Sequence, residues 1–154
     1  MKQPREHQID FHHFHNRTGP YANQPAMYPP NLLGSMAWHG MGRGKTLSSL
    51  WEARHLLNEL RRAGVMTPRF MVVCPNSAVH TWKKECMAEC PDLVNVMLVY
   101  PYSQLHNAIK ALKYYDLRMI IFDESQAMKS STTNRIQTVA EFLHQVGSTG
   151  FMFK

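Results

Sequence analysis

Leu32-Leu33-Gly34-Ser35-Met36-Ala37-Trp38 runs into His39-Gly40-Met41-Gly42-Arg43-Gly44-Lys45-Thr46, and a segment marked by Leu47, Leu50, Trp51, Leu57 and Leu60 follows. The apolar run reads as a short strand, the glycines as a tight loop, and the three-to-four spacing as one face of a helix. Arg61 and Arg62 in the last turn, with Gly64 just beyond, supply a stop. A strand, a glycine loop and a helix start present backbone N–H groups to an anion. The pattern G-x-x-x-x-G-K-[ST] wants glycine at 39, where this chain has His; the rest fits. Gly42 and Gly44 allow a tight backbone, Lys45 can reach the β/γ-phosphates of a nucleotide, and Thr46 can place its hydroxyl on Mg²⁺. A chance glycine-rich turn would also show Gly-Lys-Thr; the flanking strand and helix favour the phosphate reading.

Downstream the chain keeps alternating. Phe70 to Cys74 reads as a strand, and Asn76 or Ser77 can cap a helix carrying Val79, Trp82 and Cys86 that Pro91 ends. Val94 to Tyr100 is the next strand, and Leu105, Ala108, Ile109 and Leu112 share a helix face. Met119 to Phe122 is a buried strand, Ile136, Val139, Ala140 and Leu143 mark a last helix, and Phe151 to Lys154 looks like the opening of another strand. Strands that are continuous apolar runs between helices argue for a parallel sheet covered on both faces. Ligands of such sheets sit at the carboxyl ends of the strands.

Met119-Ile120-Ile121-Phe122 ends in Asp123-Glu124. An apolar strand ending in two carboxylates suits Mg²⁺-nucleotide chemistry: Asp123 would hold the metal, mostly through water, and Glu124 would orient and deprotonate the attacking water. Two ordinary surface acids would look the same in isolation. Their place after the phosphate loop favours the functional reading.

The ordered set Gly42-Arg43-Gly44-Lys45-Thr46, then Val72-Val73-Cys74-Pro75-Asn76-Ser77 with Trp82-Lys83-Lys84-Glu85, then Ile120-Ile121-Phe122-Asp123-Glu124-Ser125-Gln126 with Lys129, resembles the superfamily 2 helicases. Within them it is most similar to the Swi/Snf-type DNA translocases. Met41 and Trp82 fall where that group places Met and Trp. Pro4-Arg5-Glu6-His7-Gln8 resembles the short element that reads adenine. The match runs from about Pro4 to about Arg135.

The resemblance implies a three-layer, RecA-like α/β P-loop lobe with a mostly parallel sheet, part of a motor that hydrolyses ATP and tracks along double-stranded DNA. Met41, Gly42, Arg43, Gly44, Lys45 and Thr46 would bind nucleotide; Thr46 and Asp123 would hold Mg²⁺; Lys45, Asp123 and Glu124 would be catalytic. Gln8 would contact adenine, unless it is an ordinary exposed glutamine. Ser77, Lys83 and Lys84 lie in the element that touches the DNA backbone, although for the lysines a solvated helix face is an equal alternative. Residues 1–31 would form the adenine element and a Pro-rich loop, and residues 32–154 the lobe. His39 and Gly40 stand where the family has Asp-Glu, and Gln126 where it has His. The Thr-Gly-Thr-Pro element is missing after Phe153, so the lobe is expected to be incomplete at its C-terminus. A second RecA-like lobe, in a longer chain or a separate polypeptide, is the expected partner, and little hydrolysis is expected without it. The alternatives are a nucleotide- or DNA-binding module without turnover, and another P-loop phosphotransferase such as a small kinase, which would need a substrate site and lid not visible here.

Composition sets the outer bounds. The chain has 154 residues, 44% hydrophobic and 18% charged, which are globular values for one domain. Its net charge of +6 suits a polyanionic partner, but the basic residues are scattered and cannot name it. No apolar run approaches the roughly 18 residues of a membrane helix, and nothing at the N-terminus reads as a secretory signal. Three cysteines form no zinc spacing and no disulfide framework, so a cytoplasmic location is expected, and a compact chain of this type suits a phage or bacterium. His12-His13-Phe14-His15 has no regular partner spacing and reads as chance clustering, not a metal site.

Overall fold

The computed structural model describes residues 3, 5, 6, 8, 9, 44–111, 113–123, 152 and 153. Helix α1 spans Lys45–Arg62. Strand β1 spans Pro68–Cys74, helix α2 Val79–Glu89, strand β2 Met97–Pro101 and helix α3 Leu105–Ala111. Strand β3 spans Asp116–Phe122 and strand β4 Met152–Phe153. The strands pair in the order β2-β1-β3-β4, every pair parallel. The fold is therefore α/β, with the mostly parallel sheet and helical layers of part of a RecA-like lobe.

The strand order explains the two layers of helix. The connection from β1 moves to one side, to β2; the connection from β2 returns across β1 to β3. Right-handed crossovers running in opposite directions place their helices on opposite faces. One face carries α1 and α2: Leu50, Ala53, Leu57, Trp82 and Cys86 pack there on Phe70, Val72, Met119 and Ile121. The other carries α3: Leu105, Ala108 and Ala111 pack on Met71, Val73, Leu117 and Ile120. Strand β1 contributes alternate residues to both cores, which is why its Phe70 to Cys74 run is apolar without interruption.

Leu117 and Met119 are two residues apart yet face opposite layers. The register shows why: Arg69 pairs with Leu117 and Phe70 with Met119, so Arg118 is an extra residue in β3. This bulge reverses the side-chain alternation. Arg118 turns to Asp116, with Nε donating to Oδ1 at 2.8 Å and Nη2 to Oδ2 at 2.9 Å.

Several local expectations are met and others corrected. Helix α1 buries Leu47, Leu50 and Leu57, with Trp51 and Leu60 packed at the margin. It ends on Gly64 at φ 80°, where Gly64 N–H reaches Arg61 O and Val65 N–H reaches Leu60 O, closing two carbonyls of the last turn. Neither Asn76 nor Ser77 caps α2. The chain enters it through a 3₁₀ turn, Asn76–Ala78, and no side chain bonds the helix start. Asn76 Oδ1 instead accepts from Ser103 Oγ at 2.9 Å, tying together the turns that follow β1 and β2. Strand β2 begins at Met97, not Val94, because a 3₁₀ turn over Pro91–Leu93 carries on through Val96 N–H to Leu93 O. Strands β1 and β3 start at Pro68 and Asp116, earlier than the apolar runs alone indicate. The strand opening expected near Phe151 is present as β4. The strand at 32–38, the helix at 136–143 and Leu112 lie outside the described residues.

Candidate functional site

The first cluster is built at the start of α1. Helix α1 leads into β1 through a short turn, so the two run antiparallel and the helix start lies toward the carboxyl edge of the sheet. Gly44 precedes the helix in a left-handed conformation, φ 76° and ψ 34°, which glycine adopts without a Cβ penalty. Its carbonyl accepts three bonds: from Ser48 N–H at 3.0 Å, from Ser48 Oγ at 3.1 Å and from Gln8 Nε2 at 3.1 Å. The helix has no side-chain cap and no acid in its first turn. Its leading N–H groups thus have no partner within the helix and carry the positive end of the dipole. Lys45 and Thr46 are half-buried at that end.

Gln8 belongs to this cluster although 36 residues separate it from Gly44. It is buried at 4% exposure, which excludes the ordinary surface glutamine. Its Oε1 accepts from Arg5 N–H at 2.8 Å while Nε2 holds the Gly44 carbonyl. The fit is close: a Cβ on Gly44 would lie 2.6 Å from Gln8 Nε2. The amide oxygen and nitrogen of Gln8 each have the capacity for one further bond beyond these.

The second cluster is built on Asp123, which follows β3. Its backbone N–H donates to Val73 O at 2.9 Å, so β1 fixes it beside the end of the neighbouring strand. Tyr102 OH donates to its carbonyl at 2.8 Å, from the 3₁₀ turn after β2. Trp82 Nε1–H donates to Oδ2 at 2.8 Å, from α2. Three elements thus converge on one residue. Cys74, buried at the end of β1, has its thiol pKa pushed up to about 11, by burial first and then by the negative charge of Asp123. Cys86 and Cys90 are also pushed up to about 11, mainly by burial. All three cysteines are free and buried, as packed thiols should be.

Around the same edge lie the candidates for nucleic-acid contact. Ser77, Lys83 and Lys84 are exposed, Ser77 on the turn after β1 and the lysines on the outer face of α2. They stand apart from the polar bonds of both clusters. Met41, Gly42, Arg43 and Glu124 lie outside the described residues.

Trp82 and Tyr102 have roles at Asp123 that residue type and spacing did not assign. A buried indole must find an acceptor for its N–H, and that was the available signal. What hid the partner was the strand order: only because β3 lies beside β1 does Asp123 come within reach of the helix that follows β1.

Fold and site together define an α/β lobe with helices on both faces of a parallel sheet and polar groups gathered at its carboxyl edge. The chain is 26% identical to the chromatin-remodeling ATPase INO80 of Arabidopsis thaliana, over 144 residues covering 75% of this chain and 9% of that protein. This is a distant relationship, and the chain spans under a tenth of the relative's length. No family model matches the chain. Among the described residues no helix is long and apolar enough to cross a membrane.

Proposed function

We propose that this chain is the ATP-binding lobe of a Swi/Snf-type, DNA-dependent ATPase that translocates on double-stranded DNA. The observation that carries the reading is the start of α1: left-handed Gly44, a helix without a side-chain cap among the described residues, and Lys45 and Thr46 immediately inside it. Such a helix start favours phosphate through its dipole and the N–H groups that the helix itself leaves unbonded. The distant similarity to a chromatin-remodeling ATPase supports the same class.

The residues present fit Mg²⁺·ATP. Lys45 offers a cation to the β/γ-phosphates, and a hydroxyl on Thr46 with a carboxylate on Asp123 makes the hard oxygen set that Mg²⁺ takes. Mg²⁺ held by these residues would supply neutralisation of charge on the phosphate oxygens. Trp82 occupies one direction on Asp123 Oδ2, and Oδ1 would be the oxygen offered to the metal. Glu124 would take the proton of the attacking water. Gln8 would read the adenine edge with its remaining donor and acceptor. Its bond to Gly44 supports grouping the N-terminal element with the phosphate loop as one nucleotide site.

Ser77, Lys83 and Lys84 would meet phosphates of the duplex, and the net charge of +6 favours that contact. Lys45, Thr46, Asp123 and Glu124 supply charge to one side of a γ-phosphate. A second RecA-like lobe would supply the other, including an arginine finger, a contribution of about 10³–10⁵ in rate in characterised enzymes. The reading is tested by equilibrium binding of ATP with and without Mg²⁺ to the chain and to Lys45→Ala. Binding that requires Lys45 supports it; equal binding by both proteins counts against it.

A further inference from the structure

Asp123 is held almost completely by its backbone. Its N–H is bonded to Val73 O and its carbonyl to Tyr102 OH. What remains adjustable is the rotation of its carboxylate, and Trp82 sets that through the 2.8 Å bond to Oδ2. An indole donates one hydrogen bond and accepts none, and Trp82 is only 2% exposed, so this bond is its single polar role. Trp82 sits on α2 directly before Lys83 and Lys84, which point outward. One turn of helix therefore carries an exposed cationic face and, on its inner side, the donor that orients the carboxylate. The helix start has no side-chain cap and is reached through a 3₁₀ turn bearing the exposed Ser77; that end of α2 is held by the Asn76–Ser103 bond and by the packing of Ala78 and Val79 on the core.

We propose that Trp82 is a positioning residue that relays occupancy of the outer face of α2 by duplex DNA to the carboxylate of Asp123. The proposal rests on the reading above of Asp123 as a group that holds Mg²⁺ and of α2 as a DNA contact. A phosphate backbone pulling on Ser77, Lys83 and Lys84 shifts or steadies α2. A hydrogen bond weakens steeply with misalignment, so a small movement of the helix changes how firmly Oδ2 is held and which way Oδ1 points. Metal affinity then depends on DNA. By linkage, DNA affinity depends equally on the metal-bound nucleotide.

The test uses the 154-residue chain, ATP with Mg²⁺ or EDTA, and a short duplex of random sequence. In the unsubstituted protein, saturating duplex is expected to change the Mg²⁺·ATP dissociation constant about fivefold or more, and saturating Mg²⁺·ATP to change the duplex constant by the same factor. Trp82→Phe keeps an aromatic ring but deletes the N–H. It is expected to leave ATP binding in EDTA unchanged, to reduce the gain that Mg²⁺ brings by about tenfold, and to bring the DNA coupling to unity. A purely structural role for Trp82 would lower all the affinities together and leave the coupling intact, and that result overturns the proposal. So does an unsubstituted protein that binds both ligands without coupling. A protein that binds neither ligand overturns the functional reading itself, and the relay with it. Should Trp82→Phe fold poorly, the indole N–H resonances of the chain's three tryptophans decide. The one that survives both Trp38→Phe and Trp51→Phe belongs to Trp82. It should move on adding Mg²⁺·ATP and, separately, on adding duplex; a resonance fixed in either titration refutes the relay.

Discussion

Replacing Gly44 by alanine tests the junction between the N-terminal element and the start of α1. Two separate costs arise. The backbone at φ 76° is left-handed, and an L-residue with a Cβ pays about 1–2 kcal/mol there. The new Cβ would also lie 2.6 Å from Gln8 Nε2, so Gln8 must swing away. That movement gives up two bonds, Nε2 to Gly44 O and Arg5 N–H to Oε1, each contributing about 0.5–1.5 kcal/mol. The expected loss for Gly44→Ala is therefore about 2–5 kcal/mol. In a Gln8→Ala background both bonds are already absent and the crowding is relieved, so the same change should cost only the backbone's share. Urea unfolding of the four proteins, compared at constant slope, measures the difference. The structure predicts a coupling of about 1–3 kcal/mol. Costs that add to within about 0.5 kcal/mol would show that Gln8 and Gly44 do not touch, and would refute the reasoning.

Lys83→Ala and Lys84→Ala should each flatten the dependence of duplex binding on salt, by about 0.9 in log K against log[salt] for each phosphate that the lysine neutralises; an unchanged slope means solvated lysines. Cys74, Cys86 and Cys90 should resist alkylation at pH 8 in the native protein and react after denaturation, as counted by mass spectrometry. Because the folded thiols lie near 11 and the unfolded ones near 9.0, the unfolded chain ionises first. Their contribution to stability is full below about pH 9 and is lost as pH rises toward 11, which unfolding measured across that range should show. Arg54→Met should cost about 1–2 kcal/mol in the same unfolding assay. It removes the Nε–Oδ2 bridge at 3.3 Å from Asp92, whose buried Oδ1 has no hydrogen-bond partner among the described residues; a change within about 0.3 kcal/mol contradicts this.

The elements were legible in the sequence wherever one local pattern decided them. The face of α1 and its Gly64 stop follow from residue spacing, and the doubly buried β1 follows from an unbroken apolar run. What was not legible depended on contacts between distant segments. Nothing local to Asn76 shows that Ser103 will claim its side chain in place of the helix start. The bulge at Arg118 is silent in a run that stays apolar on either side of it. The same limit applies to the site. Lys45, Thr46 and Asp123 are candidates proposed from residue type and order, but the Trp82–Asp123 bond requires β3 to lie beside β1, and the Gln8–Gly44 bond spans 36 residues.

The central claim is that the start of α1 binds the phosphates of ATP with Mg²⁺. Thermal unfolding of the chain across a series of Mg²⁺·ATP concentrations tests it most directly. A ligand at a hundred times its dissociation constant stabilises by about 2.7 kcal/mol, a rise in Tm of roughly 5–10 °C for a domain of this size. The account predicts that rise for the chain and its loss in Lys45→Ala. A melting temperature that stays constant up to millimolar Mg²⁺·ATP, or that rises equally without Lys45, would contradict it.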